Sequence, residues 1–201
     1  MSIYYVGDLH GRIKDLGDII QSAEAKQVAA IIQVGDFGFG FPDSAWQDFL
    51  EKRARQQKWK VPVYTCFGNH DNWNRIYQMR EEQGSAKVEL VLGSGVYFMS
   101  RGLVEEIDSI SHIFMGGAES TDKQNRVENV SWWDLEQPTH KEFELFFKNL
   151  EEQKPDTVVA HELPLRIEIR RTRRNQSYTP QMLENALKLS DHQPKYFLNL
   201  A

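Results

Sequence analysis

The chain has little of what several classes of protein depend on. Its 201 residues include one cysteine, Cys66, so no disulfide can form within the chain, and a reducing compartment is expected. No apolar run approaches the roughly 18 residues of a membrane span. The formal net charge of −5 argues against broad binding to nucleic-acid backbones, which requires an excess of Lys and Arg. We therefore expect a cytoplasmic protein without a membrane partner.

The composition is otherwise that of an ordinary globular protein. Hydrophobic residues make up 40% of the chain and charged residues 26%, which excludes a disordered polymer. The length suits a single domain over residues 1–201 with a sizeable core. In the first third, strands alternate with helices, which predicts a parallel sheet covered on both faces. The strands are predicted at 2–6, 29–34 and 61–67, and the helices at 13–27, 43–58 and 72–82.

The middle of the chain has a different pattern. Four short strand-like runs, separated by turn residues, predict hairpins and hence an antiparallel second sheet. After them, Thr139 and Glu142 have the spacing of a capping box, which predicts a helix over about 140–153. A strand at 156–160, a helix from Pro180 and a strand at 196–198 complete the prediction. The four short runs are 88–92, 96–99, 102–107 and 110–115.

Polar motifs follow the first three predicted strands at the point where each strand ends. They are Gly7-Asp8-Leu9-His10-Gly11, Gly35-Asp36 and Gly68-Asn69-His70-Asp71. In open α/β sheets, ligands bind outside the carboxyl ends of the strands. Asp, Asn and His side chains at three such ends are the ligand chemistry of a two-metal hydrolase.

The spacing of these residues favours particular ligands. Asp8 and His10 are two residues apart, so in an extended loop both can reach one metal. A carboxylate between two cations offsets their repulsion, and Asp36 at the next strand end is the natural bridge. Asn69 offers a carbonyl oxygen to a second metal, and His161, after a later strand, offers an imidazole nitrogen.

These motifs, in this order, resemble those of the calcineurin-like metallophosphoesterases, and the segment from Gly117 to Trp133 resembles one in bacterial and phage members. The resemblance implies an α/β sandwich of two mixed β-sheets packed face to face and flanked by helices. It implies two divalent cations, manganese before iron or zinc, and hydrolysis of phosphate mono- or diesters. Carried over by position, one metal takes Asp8, His10 and Asp36, and the other takes Asp36, Asn69 and His161. His70 is then the general acid.

Further residues follow from the same alignment of motifs. Arg12, one residue past the first motif, is a candidate for binding the substrate phosphate or else an exposed arginine at the start of a helix. Arg126 is a second candidate for the phosphate, and Asp71 is a candidate for orienting His70. The phosphoprotein phosphatases of the superfamily carry an arginine shortly after the second motif, whereas this chain continues Phe37-Gly38-Phe39-Gly40. This difference favours a phosphodiesterase or a small-molecule phosphatase.

One expected motif is absent. Family members have Gly-His-x-His after a late strand, whereas here the strand at 196–198 is followed by Asn199-Leu200-Ala201. Either the natural protein is truncated or the sequence omits its C-terminus. In both cases each metal loses a histidine, terminal strands of the second sheet are expected to be missing, and an exposed sheet edge would favour self-association.

Three functions stay open on the sequence alone. The first is an active two-metal phosphoesterase, which the retained His70 favours. The second is a catalytically impaired interaction module on the same fold, which the missing histidines favour. The third is a nuclease, for which five arginines within residues 166–174 would supply the contact with the phosphate backbone.

Overall fold

The computed structural model of the chain describes residues 2–40, 45–56, 60–162, 178–192 and 194–198. The basic run at 166–174 and the residues after Leu198 lie outside that description. The described strands are β1 (Ile3–Val6), β2 (Ala30–Gln33), β3 (Val63–Thr65), β4 (Lys87–Glu89), β5 (Val96–Met99), β6 (Val104–Ile107), β7 (Ile110–Met115), β8 (Thr157–Ala160) and β9 (Tyr196–Leu198). The helices are α1 (Ile13–Ala25), α2 (Trp46–Gln56), α3 (Trp73–Gln83), α4 (His140–Gln153) and α5 (Tyr178–Leu189).

The first sheet has the strand order β1-β2-β3-β5-β4. Strands β1, β2, β3 and β5 are parallel, so the carboxyl ends of the first three lie at one edge of the sheet. All four residues of β2 are buried, as expected for a central strand that is covered on both faces. This arrangement confirms the parallel sheet predicted for the first third of the chain.

The prediction that the four middle strands form an antiparallel sheet of their own was wrong. Strands β4 and β5 pair with each other and extend the first sheet, because β5 also pairs in parallel with β3. Its residues Val96, Phe98 and Met99 are buried, so β5 is an interior strand and not half of an isolated hairpin. The second sheet has the order β6-β7-β8-β9 and is mixed, since only β6 and β7 are antiparallel.

The two sheets pack face to face, as the resemblance implies. A buried cluster from both sheets, which includes Ile32, Cys66, Phe114 and Val159, fills the space between them. A second cluster covers the outer face of the first sheet with α1, α2 and α3, and a third packs α4 and α5 against the second sheet. The sandwich of two mixed sheets flanked by helices is therefore confirmed. In the parts of the chain described here, no helix combines the length and the apolar character needed to cross a bilayer.

Two polar residues at strand ends fix the edge of the sheet at which the motifs emerge. Gln33, at the end of β2, is fully buried, donates to the carbonyl oxygens of Gly7 and Gly35, and accepts a hydrogen bond from the Thr65 hydroxyl at 2.6 Å. These contacts link the ends of β1, β2 and β3. Because a buried amide must satisfy its donors and its acceptor, the three strand ends are held in one register.

Candidate metal centre

The loops after β1 and β2 are joined by their backbones. The carbonyl oxygen of Asp36 accepts hydrogen bonds from the backbone N–H groups of Leu9 and His10, at 3.0 and 2.7 Å. His10, Asp36 and Phe67 all have positive φ angles, of 46°, 48° and 47°. Non-glycine residues in this region are strained, and such strain concentrates at functional sites where surrounding contacts enforce it.

Asp71 joins the second and third loops. Its buried carboxylate accepts backbone hydrogen bonds from Phe37, Gly38, Phe39 and Gly68, with two donors on each oxygen. Burial raises the pKa of Asp71 to about 7, and the backbone donors act in the opposite direction. The suggestion that Asp71 orients the His70 side chain was wrong, since both of its oxygens are used to hold the loop backbones together.

Two glycines let the backbone approach the site side chains closely. A Cβ atom on Gly68 would lie 2.1 Å from Asp36 Oδ1 and 2.7 Å from His161 Nε2. A Cβ atom on Gly35, which has a φ of +115°, would lie 2.2 Å from His161 Nδ1. A larger residue at position 68 would therefore displace both Asp36 and His161, and one at position 35 would displace His161.

The first predicted set of ligands is brought together. His10 Nε2 lies 3.7 Å from Asp8 Oδ2 and 3.7 Å from Asp36 Oδ2. Asp36 is almost fully buried, whereas His10 faces solvent with 44% of its side chain exposed. The set is thus open on the His10 side, from which a ligand could enter.

The second predicted set of metal ligands lies near the other carboxylate oxygen of Asp36. His161 Nε2 is 3.6 Å from Asp36 Oδ1 and 3.2 Å from Asn69 Oδ1. The other ring nitrogen of His161, Nδ1, lies 3.0 Å from the carbonyl oxygen of Val34, to which it can donate. A ligating histidine is oriented in this way, with one nitrogen bound to a carbonyl and the other directed at the metal. Asp36 therefore lies between the two sets, with one oxygen toward each.

The chemistry of these donors fits cations. Asp8 Oδ1 is buried and has no hydrogen-bond partner among the residues described. Burial is the main cause that raises the pKa of Asp8, the neighbouring Asp36 raises it further, and His161 and His10 oppose the rise. An orphaned carboxylate oxygen beside a second carboxylate is costly unless a cation compensates it. The five residues thus have the composition and the unmet charge of a metal site.

His70 lies at the edge of this centre and is held by an arginine. One nitrogen of the His70 ring, together with a nitrogen of His10 and a carboxylate oxygen of Asp36, forms a cluster within 4.8 Å. The Arg126 guanidinium contacts both ring nitrogens of His70, with Nη2 2.8 Å from Nε2. Burial lowers the pKa of His70, Asp36 raises it and Arg126 lowers it further. A cation placed against both nitrogens favours a role for His70 other than metal ligation.

Arg12, the other predicted phosphate ligand, is placed differently. Its guanidinium donates to the carbonyl oxygens of Leu9 and Asp8, at 3.1 Å each, and lies 3.4 Å from Asp15 Oδ2. Its side chain is 63% exposed. Arg12 therefore ties the first motif to the start of α1, and a contact with substrate stays a prediction.

The remaining three histidines lie elsewhere, and all six histidines of the chain are among the residues described. His112 is buried in the second sheet against the hydroxyl group of Tyr5. His192 contacts the carbonyl oxygen of Pro155, before the start of β8, and His140 pairs with a glutamate on its own helix. None of the three replaces the histidines of the absent motif.

Three residues that support the site were given no role from the sequence, although Ser120 and Asp122 lie in the segment from Gly117 to Trp133 that carries part of the resemblance. Ser120 accepts a hydrogen bond from Asn69, Glu136 binds Ser120, and Asp122 pairs with Arg126 at 2.9 Å. The signal for Ser120 was available, since Gly116-Gly117-Ala118-Glu119-Ser120 follows β7 as the other motifs follow their strands. Glu136 has no such signal, because it reaches the site only through the fold.

A cleft of about 520 Å³ opens beside the centre. Its lining includes Asn69, His70, His161, Asp122 and Arg126. A small ligand in this cleft would meet the second predicted metal set, the His70 ring and one guanidinium group.

Comparison with known proteins agrees with this geometry. The sequence model of the calcineurin-like phosphoesterase family matches residues 1–198, which include every residue of the candidate centre. None of the curated proteins compared with the chain matches it.

Proposed function

Since the chain belongs to the calcineurin-like phosphoesterase family, we propose that it hydrolyses phosphate mono- or diesters with two divalent cations. Family membership indicates metal-dependent phosphoester hydrolysis. The observation that carries the two-metal form is the position of Asp36, whose Oδ2 faces His10 and whose Oδ1 faces His161. A carboxylate with one oxygen toward each of two ligand sets is suited to bridging two cations.

The proposed ligands divide between two sites that share Asp36. Asp8 and His10 would hold one cation, and Asn69 and His161 would hold the other. Bound cations would supply Lewis acidity and positive charge that offsets the charge of a phosphoryl group. Oxygen and imidazole donors suit manganese, which we place first, and also iron and zinc.

In this proposal His70 donates a proton to the leaving oxygen of the ester. Its ring lies beside the proposed ligands but faces Arg126, whose Nη1 and Nη2 atoms are 3.2 and 2.8 Å from its nitrogens. Arg126 would bind a phosphoryl oxygen in the same cleft. Asp122 supports this role, since its 2.9 Å contact with Nε holds the guanidinium at the wall of the cleft, where Nη1 also donates to the Ser131 carbonyl oxygen at 3.1 Å.

The test combines metal content with turnover of aryl phosphate monoesters and diesters in added Mn²⁺. We expect bound metal, turnover that is lost on chelation, and a loss of about 10²- to 10⁴-fold in kcat when His70→Asn removes the acid. His140→Asn is the matched control, because His140 is exposed on α4 and contacts Glu144 alone among the ion pairs described. Absence of both bound metal and His70-dependent turnover would overturn the proposal.

Two other functions remain as alternatives to the phosphoesterase. Because none of the other three histidines adds a ligand to the centre, one alternative is a catalytically impaired interaction module, which would bind substrate or partner without turnover. A nuclease is the other, and it would bind oligonucleotides with an affinity that falls steeply with salt. The buried, unpaired thiol of Cys66 supports a reducing, cytoplasmic location.

A further inference from the structure

A chain of hydrogen bonds connects Asn69 to a buried glutamate. The Asn69 side-chain nitrogen, Nδ2, donates to the Ser120 hydroxyl oxygen at 2.9 Å. The same hydroxyl donates to Glu136 Oε2 at 2.7 Å, and the Ser120 backbone N–H donates to Glu136 Oε1 at 2.6 Å. Ser120 and Glu136 are 2% and 1% exposed, so bulk water does not compete for these bonds.

The direction of these bonds is set by proton counting. A serine hydroxyl has one proton, and an ionised carboxylate only accepts hydrogen bonds. Because the Ser120 hydroxyl uses its one proton in the hydrogen bond that it donates to Glu136, its oxygen can only accept a hydrogen bond from Asn69. Only the NH₂ end of the Asn69 amide can satisfy them, so its Oδ1 atom is turned toward His161 Nε2, at 3.2 Å.

We propose that Ser120 and Glu136 are positioning residues that fix the amide of Asn69, so that its oxygen and not its nitrogen faces the second metal. The inference rests on the proposed function, since it takes Asn69 as a ligand. An amide presents an acceptor at one end and donors at the other, so a flipped Asn69 would direct N–H groups at a cation. A residue that prevents the flip therefore determines whether the second site exists.

Glu136 is itself held in place from the first sheet. Its backbone carbonyl accepts a 2.6 Å hydrogen bond from Nη2 of Arg101, which lies just after β5 and is buried. A Cβ atom on Gly117 would lie 2.1 Å from that carbonyl oxygen and 2.4 Å from Nη2 of Arg101. The positioning pair is thus anchored to the sandwich independently of the metal ligands.

The test measures Mn²⁺ affinity and stoichiometry by titration calorimetry, without relying on turnover. We expect Ser120→Ala to weaken the second ion about 10- to 100-fold, the range for partners of metal ligands. Glu136→Gln should also weaken binding of the second ion. The glutamine side chain can donate a hydrogen bond to the Ser120 hydroxyl, which can then donate its own proton to Asn69 Oδ1 and so favour the flipped amide. Ser120→Thr keeps a hydroxyl group and should stay near the wild type.

A change of the ligand separates positioning from general support of the fold. In Asn69→Asp the two carboxylate oxygens are equivalent and no flip exists, so adding Ser120→Ala should change Mn²⁺ affinity by less than about threefold. Thermal unfolding of the metal-free variants checks that each is folded. If Ser120→Ala lowered Mn²⁺ affinity equally in the wild type and in Asn69→Asp, the positioning role would be overturned.

The failure of this inference is distinguishable from that of the proposed function. A wild-type chain that binds two Mn²⁺ ions and a Ser120→Ala variant that binds them equally well would overturn only the positioning role. A wild-type chain that binds no Mn²⁺ would overturn the proposed function, and the positioning role with it.

Discussion

Arg126 lies against His70, with Nη2 2.8 Å from ring Nε2 and Nη1 3.2 Å from Nδ1. Asp122, four residues before the arginine, holds its Nε atom at 2.9 Å. The guanidinium is thereby directed toward the cleft that adjoins the candidate metal centre. A phosphoryl group entering that cleft would meet the arginine and the proposed acid together, so the two residues should act on the same ligand.

Replacement of Arg126 should weaken binding of the phosphoryl group. We expect Arg126→Ala to lower kcat/KM about 10- to 100-fold, the equivalent of a lost charge-assisted hydrogen bond of roughly 1.5–3 kcal/mol. Arg126→Lys should restore little, since lysine lacks the planar fork. Steady-state kinetics on aryl phosphates measures the effect, with Arg75→Ala, which removes an exposed pair with Glu82, as the control. Full activity in Arg126→Lys would contradict a role that depends on the planar guanidinium group.

Neutralising Asp8 should stabilise the metal-free protein while weakening its response to metal. Burial and the charge of Asp36 both raise the pKa of Asp8, and its Oδ1 atom has no hydrogen-bond partner among the described residues. Asp8→Asn removes the repulsion, and each kcal/mol gained should raise Tm by about 2–4 °C. The rise in Tm on adding Mn²⁺ should be smaller than in the wild type, because only the second proposed site keeps all of its ligands.

Thermal unfolding with and without Mn²⁺ checks both parts of this prediction. Asp15→Asn is the matched control, because Asp15 is an exposed carboxylate that pairs with Arg12 on the same stretch of chain. It should leave the response to Mn²⁺ unchanged. A variant Asp8→Asn that is less stable without metal and that gains as much in Tm from Mn²⁺ as the wild type would exclude Asp8 as a ligand.

Local sequence signals predicted the elements of this fold better than their pairing. The helix predicted at 140–153 has those observed bounds because the capping box of Thr139 and Glu142 is a local interaction. The pairing of β5 with β3 could not be predicted, since the apolar pattern of a strand does not specify which strand it pairs with. Only tertiary packing decides the pairing.

The same distinction applies to the site. Asp8, Asp36 and Asn69 could be predicted because each lies in the loop that leaves the end of a strand, and parallel strands bring their ends together. Glu136 lies 67 residues beyond Asn69, and its relation to Asn69 depends on how the segment after β7 folds back. No spacing rule describes such a segment, because its contacts are not repeated along the chain.

Protonation of His112 should destabilise the protein in mild acid. Burial is the main cause that lowers its pKa below the ordinary 6.5, and the Ile110 carbonyl and the charge of Asp156 oppose that shift. The unfolded chain recovers the ordinary pKa and so binds more protons below about pH 6.5. The stability that neutral His112 contributes is therefore complete above pH 6.5 and is lost as the pH falls through the lower, folded-state pKa.

Urea unfolding at a series of pH values between about 5 and 8 measures this contribution. The wild type should lose free energy of unfolding toward pH 5 more steeply than His112→Gln, which cannot titrate. His140→Gln is the control, since His140 is 71% exposed and should leave the pH profile of the wild type unchanged. Parallel profiles for the wild type and His112→Gln would show that His112 does not cause the acid sensitivity.

Arg101 should be the residue whose loss affects both the fold and the site. Its guanidinium is 1% exposed, pairs with Glu142 at 3.0 Å and lies 3.7 Å from the centre of the Trp73 ring. It also donates to four backbone carbonyls, those of Gly116, Leu135, Glu136 and Gln137. Breaking a buried pair of this kind costs about 3–5 kcal/mol, because the partner charge stays buried without compensation.

Arg101→Lys keeps the charge, so we expect it to lower the free energy of unfolding in urea by less than that, about 1–3 kcal/mol, since an ammonium group cannot donate to all four carbonyls that surround the guanidinium in its plane. Arg80→Lys is the control, because Arg80 lies 5.8 Å from the centre of the Tyr77 ring at a partly exposed position. Arg101→Lys should also weaken Mn²⁺ binding, since the carbonyl of Glu136 loses its anchor. If Mn²⁺ affinity is unchanged while stability falls, Arg101 supports the sandwich alone, and the position of Glu136 is fixed by its contacts with Ser120.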